Sequence, residues 1–456
     1  MVSYELKPTF DNLKNSILKD SVGRNKSIAT FIELLDEIDN NVAIALDDSW
    51  GNGKTFFVKQ TQLVLKSFSS SDEKLVEIKQ CMEKFRKNDK MRNYLPVYYD
   101  AWSNDNDTDP VLSIIFEMLK SIKDLEEYEV RDKNWWDTIK KGFEVAVTAI
   151  GGPRIGEFLN SVEGTDLLAE IKKRKEADQV LNLLFDTLLE KQPTNTRIVF
   201  FIDELDRCCP DFAVRLLERI KNYFLHDKII FALSVNMSEL QHTVKRHYGN
   251  DFNADKYLRR FFDFIIPLPP ADMTKYYTTI NFDDGTARYY TASLVMKRYN
   301  FSLREITRYL QYLKVAVPEK YSTSFNRKHC FYIEVLVPFL IGLSIHASKA
   351  YNDFRNGEDM SYFLKIMQDS RSDWLCGIFL DGNETFEKIN QSQRTLVSLA
   401  EKFKPAYECI FGSHHSLQSV HIPGDTIDSN DKKFIMEVMS LMKANRNLKG
   451  SNNSNK

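Results

Sequence analysis

The stretch VAIALDDSWGNGKT at residues 42–55 decides the fold class of this 456-residue chain. Its first five residues, VAIAL, form a short apolar run with the length of a buried strand. A glycine-containing segment follows and ends in Gly-Lys-Thr, and a helical pattern then continues to about residue 66. A turn of this kind between a buried strand and a helix is the context that a phosphate-binding loop requires. The alternative is an ordinary connecting loop with a surface lysine.

The residue types in this loop suit phosphate binding. Glycines let the backbone curl tightly, so that successive N–H groups converge on phosphate oxygens. The helix that begins near Lys54 adds the positive end of its dipole. Lys54 would reach the terminal phosphates, and the Thr55 hydroxyl would coordinate Mg²⁺. The residues that we expect to bind the nucleotide are Trp50, Gly51, Asn52, Gly53, Lys54, Thr55 and Phe56.

The loop departs from the usual G-x-x-x-x-G-K-[ST] pattern, because Asp48 stands where the first glycine belongs. Aspartate tolerates left-handed backbone better than most residues, so we expect the loop to form. The carboxylates of Asp48 and the adjoining Asp47 would lie near the phosphates. We therefore expect lowered nucleotide affinity, and the substitution bears on hydrolysis more than on binding.

A second apolar run ends in acidic residues, in the stretch IVFFIDELDR at residues 198–207. The carboxyl ends of parallel strands face the ligand crevice of an open α/β sheet. There Asp203 would hold Mg²⁺, directly or through water, and Glu204 would orient and deprotonate the attacking water. The alternative is a run of acids in a helix cap or a loop. We expect Asp206 and Arg207 to pair with each other or with neighbours in a structural role.

Strand-like runs at 42–46, 95–99, 198–202 and 229–235 are separated by helical stretches. This alternation predicts an α/β fold, a parallel-sheet P-loop NTPase core with helices on both faces. We expect a helical insert at about 104–195 and a mainly α-helical C-terminal part. The predicted domains are a P-loop NTPase domain at 1–270, a helical C-terminal lid or partner domain at 271–446 and a disordered tail at 447–456.

Charge and cysteine usage narrow the classes of function. The chain has 62 Lys and Arg against 64 Asp and Glu, which gives a formal net charge of −2. Its overall charge therefore provides no electrostatic attraction to nucleic acid. Its six cysteines include no C-x-x-C pair and form no disulfide framework. The first residues lack the apolar region of a signal peptide.

Two apolar segments are candidates for membrane spans. Residues 143–150 are too few to cross a bilayer, and residues 331–345 contain Glu334 and Pro338. An ionised glutamate at mid-bilayer is costly, so a buried core helix is favoured for the second segment. We therefore predict no membrane span and a cytoplasmic protein.

Four motifs in order resemble those of one family. WGNGKT at 50–55 matches a W-G-x-G-K-[ST] loop, and YDAW at 99–102 is similar to F-N-A-W after the second strand. IDELDRC at 202–208 resembles I-D-D-L-D-R-C, and KYLRRFF at 256–262 is similar to Y-L-x-K-[IF]. Together they resemble the KAP family of P-loop NTPases, in the AAA+/STAND-like branch, over about residues 20–314.

The resemblance implies ATP binding with Mg²⁺ and a sheet with an additional strand. Many family members carry a membrane hairpin between the two Walker motifs, and the segment at 104–195 here lacks a spanning run. Some bacterial members occur in phage-defence operons, which would make this protein an ATP-driven switch or motor acting with other subunits. Protein partners or a homo-oligomer are therefore expected, and nucleic acid is not indicated.

Several polar residues resemble the sensors of such NTPases. Asn236, after the strand IIFALSV, would contact the γ-phosphate or the lytic water, although it also suits a helix N-cap. Arg304 falls at the sensor 2-like position, and Arg308 lies one turn further on; both also suit a solvated helix face. Arg259 and Arg260 are candidate arginine fingers for a neighbouring subunit.

The leading hypothesis is a Mg²⁺-dependent ATPase in which Glu204, Asn236 and Arg304 are catalytic and Thr55 and Asp203 hold the metal. The alternative is a nucleotide-gated binding scaffold with little or no hydrolysis, motivated by Asp48. A nucleic-acid translocase is a third class, which the balanced charge disfavours.

Overall fold

The computed structural model describes residues 7–70, 72–87, 92–107, 109–129, 181–190, 192–283, 285–316, 327–367, 396–412, 418–422 and 424–450. They divide into two compact units, one over residues 7–276 and the other from residue 277 onward. The apolar segment at 143–150 and most of the expected helical insert lie outside the described residues.

The first unit combines five strands with helices. The strands are β1 (Val42–Asp47), β2 (Tyr94–Asp100), β3 (Arg197–Asp203), β4 (Ile229–Val235) and β5 (Phe264–Pro267). The helices are α1 (Phe10–Lys19), α2 (Asn25–Glu37), α3 (Lys54–Ser69), α4 (Glu73–Glu83), α5 (Pro110–Glu129), α6 (Pro210–Tyr223), α7 (Met237–Tyr248), α8 (Ala254–Leu258) and α9 (Met273–Thr279). Residues 181–190 are also helical, and Leu205–Arg207 form one 3₁₀ turn.

All five strands are parallel and follow the order β2-β3-β4-β1-β5. Side chains alternate between the two faces of the sheet, as the strand period of two requires. In β3, Ile198, Phe200 and Ile202 pack in the core formed with α5, α6 and α7. Val199 and Phe201 pack in the opposite core, formed with α1 to α4. The apolar run of the sequence is therefore continuous because both faces of the strand are covered by helices.

The strand order sets the place of the functional residues. β4 lies between β1 and β3, so the carboxyl ends of β1 and β3 are about 10 Å apart, two strand spacings. Asp47 of β1 is opposite Val235, and Asp203 of β3 is opposite Ser234. The loop after β1 and the acidic residues after β3 therefore share one edge of the sheet. This confirms the predicted α/β fold with a parallel P-loop core and helices on both faces.

The second unit is mainly helical. Its helices are α10 (Ala287–Arg298), α11 (Leu303–Ala316), α12 (Arg327–Phe331), α13 (Val337–His346), α14 (Ser348–Arg355), α15 (Ser361–Ile366), α16 (Leu396–Phe411) and α17 (Asp431–Gly450). A short antiparallel hairpin, β6 (Ser419–Ile422) with β7 (Asp425–Asp428), was not predicted. Each strand has four residues of mixed polarity, too few to produce a recognisable alternation. α17 also includes the first four residues of the predicted tail.

A long apolar helical run forms the centre of this unit. Residues Tyr332–Leu336 make a π-helical turn between α12 and α13. Within the described residues, Lys328–His346 is the one run long and apolar enough to cross a membrane, but 67% of its apolar window is buried in the protein. Glu334 of this run pairs with Arg288 at 2.6 Å. The burial agrees with the interpretation of this segment as a core helix.

Candidate nucleotide-binding site

The loop between β1 and α3 has the backbone of an anion-binding turn. Gly51 has a φ of 95° and Gly53 a φ of 86°, values that side chains with a Cβ rarely adopt. Within the described residues, the N–H groups of Gly51, Asn52 and Gly53 donate to no acceptor. They precede the first turn of α3, whose own N–H groups have no partner within the helix. The loop therefore presents a row of free donors that fits a phosphate group.

Lys54 is buried at the base of this loop. Its ammonium donates to the carbonyl oxygens of Asp48, at 2.5 Å, and Ser49, at 3.1 Å. Burial lowers the pKa of Lys54, and the carboxylates of Asp206, Asp48, Asp203 and Glu204 act in the opposite direction. An ammonium that is removed from water and held by neutral carbonyls retains capacity for an anionic ligand.

The two aspartates at the start of the loop have their own hydrogen bonds. Asp48 Oδ1 accepts from the Ser49 N–H at 2.7 Å and from Asn52 Nδ2 at 2.8 Å. Asp47 Oδ1 accepts from the Met237 N–H at 2.9 Å, at the start of α7. The φ of Asp48 is not positive, so its position does not require glycine. Both carboxylates therefore help to shape the loop and the β4–α7 junction, a use that the sequence did not indicate.

The acidic end of β3 contacts the loop through Glu204. Asp203 is 1% exposed, and its Oδ2 accepts the Tyr98 hydroxyl at 3.1 Å. Glu204 has a left-handed backbone, with φ 63°, at the point where β3 passes into the 3₁₀ turn. Glu204 Oε1 accepts the Thr55 hydroxyl at 3.4 Å, and Glu204 Oε2 pairs with Nε of Arg207. Thr55, a predicted metal ligand, and Glu204, the predicted water-activating residue, are thus in contact.

Asp206 connects the phosphate loop with the end of β4. Its Oδ2 accepts the Trp50 indole N–H at 2.5 Å and the Asn236 backbone N–H at 3.2 Å. Burial raises the pKa of Asp206, although these hydrogen bonds and Lys54 lower it. Asp206 and Arg207 were expected to pair with each other or with neighbours. The structure assigns it to Trp50 and Asn236, and Arg207 to Glu204.

Asn236 lies at the end of β4, as its sensor assignment requires. Its Oδ1 accepts the N–H groups of Ser238 at 3.1 Å and Glu239 at 3.3 Å, so it caps α7. The alternative interpretation as an N-cap is therefore correct. The sensor role stays a prediction beside it.

Two residues that contribute to the site were missed. The first is Tyr98, which donates to Asp203 and lies within the apolar run of β2. Burial and the nearby carboxylates raise its pKa and keep it a donor.

The second is Arg24, which is 3% exposed and whose buried Nε has no hydrogen-bond partner among the described residues. Burial lowers the pKa of Arg24 to about 10, against the effect of Asp48. The arginine in the turn DSVGRN at 20–25 was the available signal.

The remaining predicted residues have more varied positions. Phe56 packs against the core of α1 to α4, so the structure gives it a packing contact. Arg304 lies in the second unit, exposed at the start of α11, where Ser302 and Glu305 form a capping box. Arg259 is exposed and pairs with Asp255 at 2.9 Å. Arg260 is exposed as well. The roles of these arginines stay predictions.

The side chains at this site suit Mg²⁺ bound together with a nucleotide better than a metal ion bound by protein ligands alone. In the described part of the chain, no three His, Cys, Asp or Glu side chains form a group that could hold a metal ion. Mg²⁺ at nucleotide sites uses one or two protein ligands together with phosphates and water. The Thr55 hydroxyl and the Asp203 carboxylate would be those ligands. Glu204 follows Asp203 in the chain and contacts Thr55.

Comparison with known proteins agrees with this geometry. No curated protein was found to match the chain. The family model of the KAP family P-loop domain matches residues 24–318, which is more than half of the chain. The match includes the loop after β1, the acidic end of β3 and the first helices of the second unit. The chain therefore belongs to the KAP family of P-loop NTPases.

Proposed function

We propose that this protein binds ATP with Mg²⁺ and hydrolyses it. The observation that carries the proposal is the buried ammonium of Lys54 beneath a loop with free N–H donors, next to the contact between Thr55 and Glu204. The Lys54 ammonium, the loop N–H groups and the Glu204 carboxylate therefore lie at one edge of the sheet. This is the arrangement that phosphoryl transfer from a nucleotide needs.

Each residue has a defined part in this proposal. Lys54 and the loop N–H groups bind the phosphates, and Thr55 and Asp203 hold Mg²⁺, which would offset the charge of the phosphate oxygens. Glu204 orients a water molecule and accepts its proton, a step typically worth 10²- to 10⁴-fold in rate. Asn236 and Arg304 contact the γ-phosphate and report its presence.

ATP turnover would serve a switch or motor within a multi-protein assembly or homo-oligomer in the cytoplasm. The balanced charge, with 62 basic and 64 acidic residues, supports protein partners over nucleic acid. A part in bacterial phage defence is proposed from membership of the family.

The substitution Glu204→Gln tests the hydrolytic part. It preserves size and removes the base, so the turnover number should fall at least about 100-fold while the Kd for ATP changes little. ATP hydrolysis and ATP titration of the wild type and the variant would show this. Glu239→Gln, on α7, is a suitable control because Glu239 has no part in the proposed chemistry.

A nucleotide-gated scaffold with little turnover is the second candidate. It is favoured by the engagement of both Glu204 carboxylate oxygens, with Thr55 and Arg207, and by Asp48 in the loop. Equal, near-background hydrolysis by the wild type and Glu204→Gln, together with measurable ATP binding, would favour the scaffold. Absence of ATP binding by the wild type would contradict both candidates.

A further inference from the structure

Three separate motifs of the sequence each contribute one side chain to a single cluster. The guanidinium of Arg207, from the segment after β3, lies 5.9 Å from the ring of Trp50 and 5.5 Å from that of Trp102. Trp50 belongs to the phosphate loop and Trp102 to the turn after β2. Sequence spacing and local periodicity do not predict this cluster, because the three residues follow three different strands. We call this group the Arg207 cluster.

Both indoles of the Arg207 cluster have large exposed areas, 44% for Trp50 and 53% for Trp102. Exposed tryptophans are costly to leave in water unless they make another contact. Each ring lies within the distance at which a guanidinium is attracted to an aromatic face. The Trp50 indole is also fixed by its hydrogen bond to Asp206 at 2.5 Å. The guanidinium therefore contacts two rings, one of which is itself anchored.

The held guanidinium acts on Glu204. Nε of Arg207 pairs with Oε2 of Glu204, and the two side chains are only 25% and 18% exposed. The other carboxylate oxygen, Oε1, is thereby turned toward the Thr55 hydroxyl, 3.4 Å away. Thr55 opens α3 directly after the phosphate loop. One oxygen of Glu204 is thus held back by Arg207, and the other faces the side on which phosphates would bind.

An exposed ion pair three residues apart on a turn contributes little, because both side chains retain their freedom and water screens the charges. The pair of Glu204 and Arg207 differs, since it is largely covered and its cation is held by the indoles. A guanidinium is rigid and planar and donates along fixed directions, so it orients the carboxylate oxygen that it binds.

We propose that Arg207 is a positioning residue: held against Trp50 and Trp102, it fixes Oε2 of Glu204 and so turns Oε1 toward the phosphate side. The inference rests on the proposed ATPase function and adds a residue to it. Arg207 acts through Glu204 and contacts no reacting atom. Removal of Arg207 therefore affects catalysis only while Glu204 can act as a base.

The test is a double-mutant cycle with Arg207→Met and Glu204→Gln. ATP turnover and the Kd of ATP are measured for the wild type, both single variants and the double variant. Arg207→Met should lower the turnover number about 10- to 100-fold, part of the typical contribution of a general base, and change the Kd less than about threefold. In the Glu204→Gln background it should change turnover less than about twofold, because its target is already removed.

Further variants separate positioning from general damage to the fold. Arg207→Lys keeps the charge without the planar fork and should retain an intermediate rate. Trp102→Ala should lower turnover with unchanged Kd, and Trp102→Phe should restore most of the rate because it keeps an aromatic face. Arg246→Met, at an exposed arginine of α7, is the matched control and should leave turnover unchanged.

The outcomes are distinguishable. A Kd that rises in parallel with the loss of turnover would overturn the inference, as would a full additional loss in the Glu204→Gln background. If Arg207→Met does not fold, wild-type turnover in both Arg207→Lys and Trp102→Ala overturns it. ATP binding by the wild type without turnover overturns it as well, whereas failure of the wild type to bind ATP overturns the proposed function itself.

Discussion

Two buried regions of the molecule, the core of the second unit and the phosphate loop of the first, hold their cations in different ways. In the second unit, Arg288 pairs with Glu334 at 2.6 Å and Lys328 pairs with Asp431 at 3.1 Å, so each of these cations has an opposite charge at contact distance. In the first unit, the ammonium of Lys54 contacts the neutral carbonyl oxygens of Asp48 and Ser49. The first arrangement is electrostatically complete, and the second keeps capacity for an anion.

The physical cost of burial explains why this difference matters. A buried charge is tolerated when an opposite charge and hydrogen bonds replace the water that it loses. The hydrogen-bond partners of Lys54 are neutral, and its burial lowers the pKa more than the nearby carboxylates raise it. A phosphate group would supply the missing charge. The ion pairs of the second unit therefore stabilise its fold, whereas Lys54 is available for a ligand.

The largest effect is expected at the pair in the second unit. Glu334→Ala would leave Arg288, whose side chain is 7% exposed, without its main opposite charge, and should lower the free energy of unfolding by about 3–5 kcal/mol. Urea denaturation measures this, with Glu401→Ala as the exposed control on α16. A loss no greater than that of the control would show that the pair is not needed for stability.

The second effect should appear in binding. Lys54→Ala removes the buried ammonium from the phosphate loop and should raise the Kd for ATP at least about 100-fold, close to 3 kcal/mol. Its effect on the free energy of unfolding should be smaller than that of Glu334→Ala, because burial already disfavours the charged lysine. Nucleotide titration tests the first point and urea denaturation the second.

Lys26→Ala is the matched control for this variant, because Lys26 is an exposed lysine on α2 and the change in net charge is the same. An ATP affinity of Lys54→Ala equal to that of the control would contradict the assignment of the loop.

A smaller effect is expected from the carboxylate in the loop. Asp48→Gly removes a negative charge beside the phosphates at a position where φ is not positive, and should tighten ATP binding about tenfold, near 1.4 kcal/mol. Asp48→Asn keeps the hydrogen-bond acceptor for Ser49 and Asn52 without the charge, and should give a similar gain. Weaker binding by both variants would show that the carboxylate supports the loop more than it repels phosphate.

The smallest effect concerns pH. The pKa of Asp206 is raised above 3.8 by burial, so the folded protein binds this proton more tightly than the unfolded chain does. Its contribution to stability is then full below that value and is lost as the pH rises through the folded pKa. The unfolding free energy of the wild type, relative to Asp206→Asn, should therefore decrease as the pH rises from the ordinary carboxyl pKa toward neutrality. A constant difference across this range would contradict the raised pKa.

The parts of the site that the sequence predicted correctly are local. A buried strand followed by glycines, lysine and threonine places Lys54 at a helix N-terminus within a few residues, so no distant contact is needed to recognise it. The acidic end of β3 was equally visible, because Asp203 and Glu204 directly follow an apolar run. Four motifs in order also sufficed to recognise the family that the comparison confirms.

What the sequence did not predict are contacts between residues far apart in the chain. Asp206 accepts from Trp50, 156 positions away, and Asp47 accepts from the Met237 N–H, 190 positions away. The periodicity of the sequence does not predict which donor a carboxylate will bind, because several donors of the same type are available. The partner of Arg207 was left open for a related reason: Asp206 is the nearer acid in sequence, but in the structure it accepts from Trp50 and Asn236, and Arg207 pairs with Glu204.

The sequence by itself determined the class of fold, the phosphate loop and the acidic strand end, because each depends on backbone geometry and polarity over a short stretch. Only the tertiary structure decided how these parts are connected, since the strand order β2-β3-β4-β1-β5 brings three loops from distant positions to one edge. Charge and hydrogen-bond partners are chosen by that proximity. The partners of Lys54, Asp206 and Arg207 therefore follow from the assembled sheet.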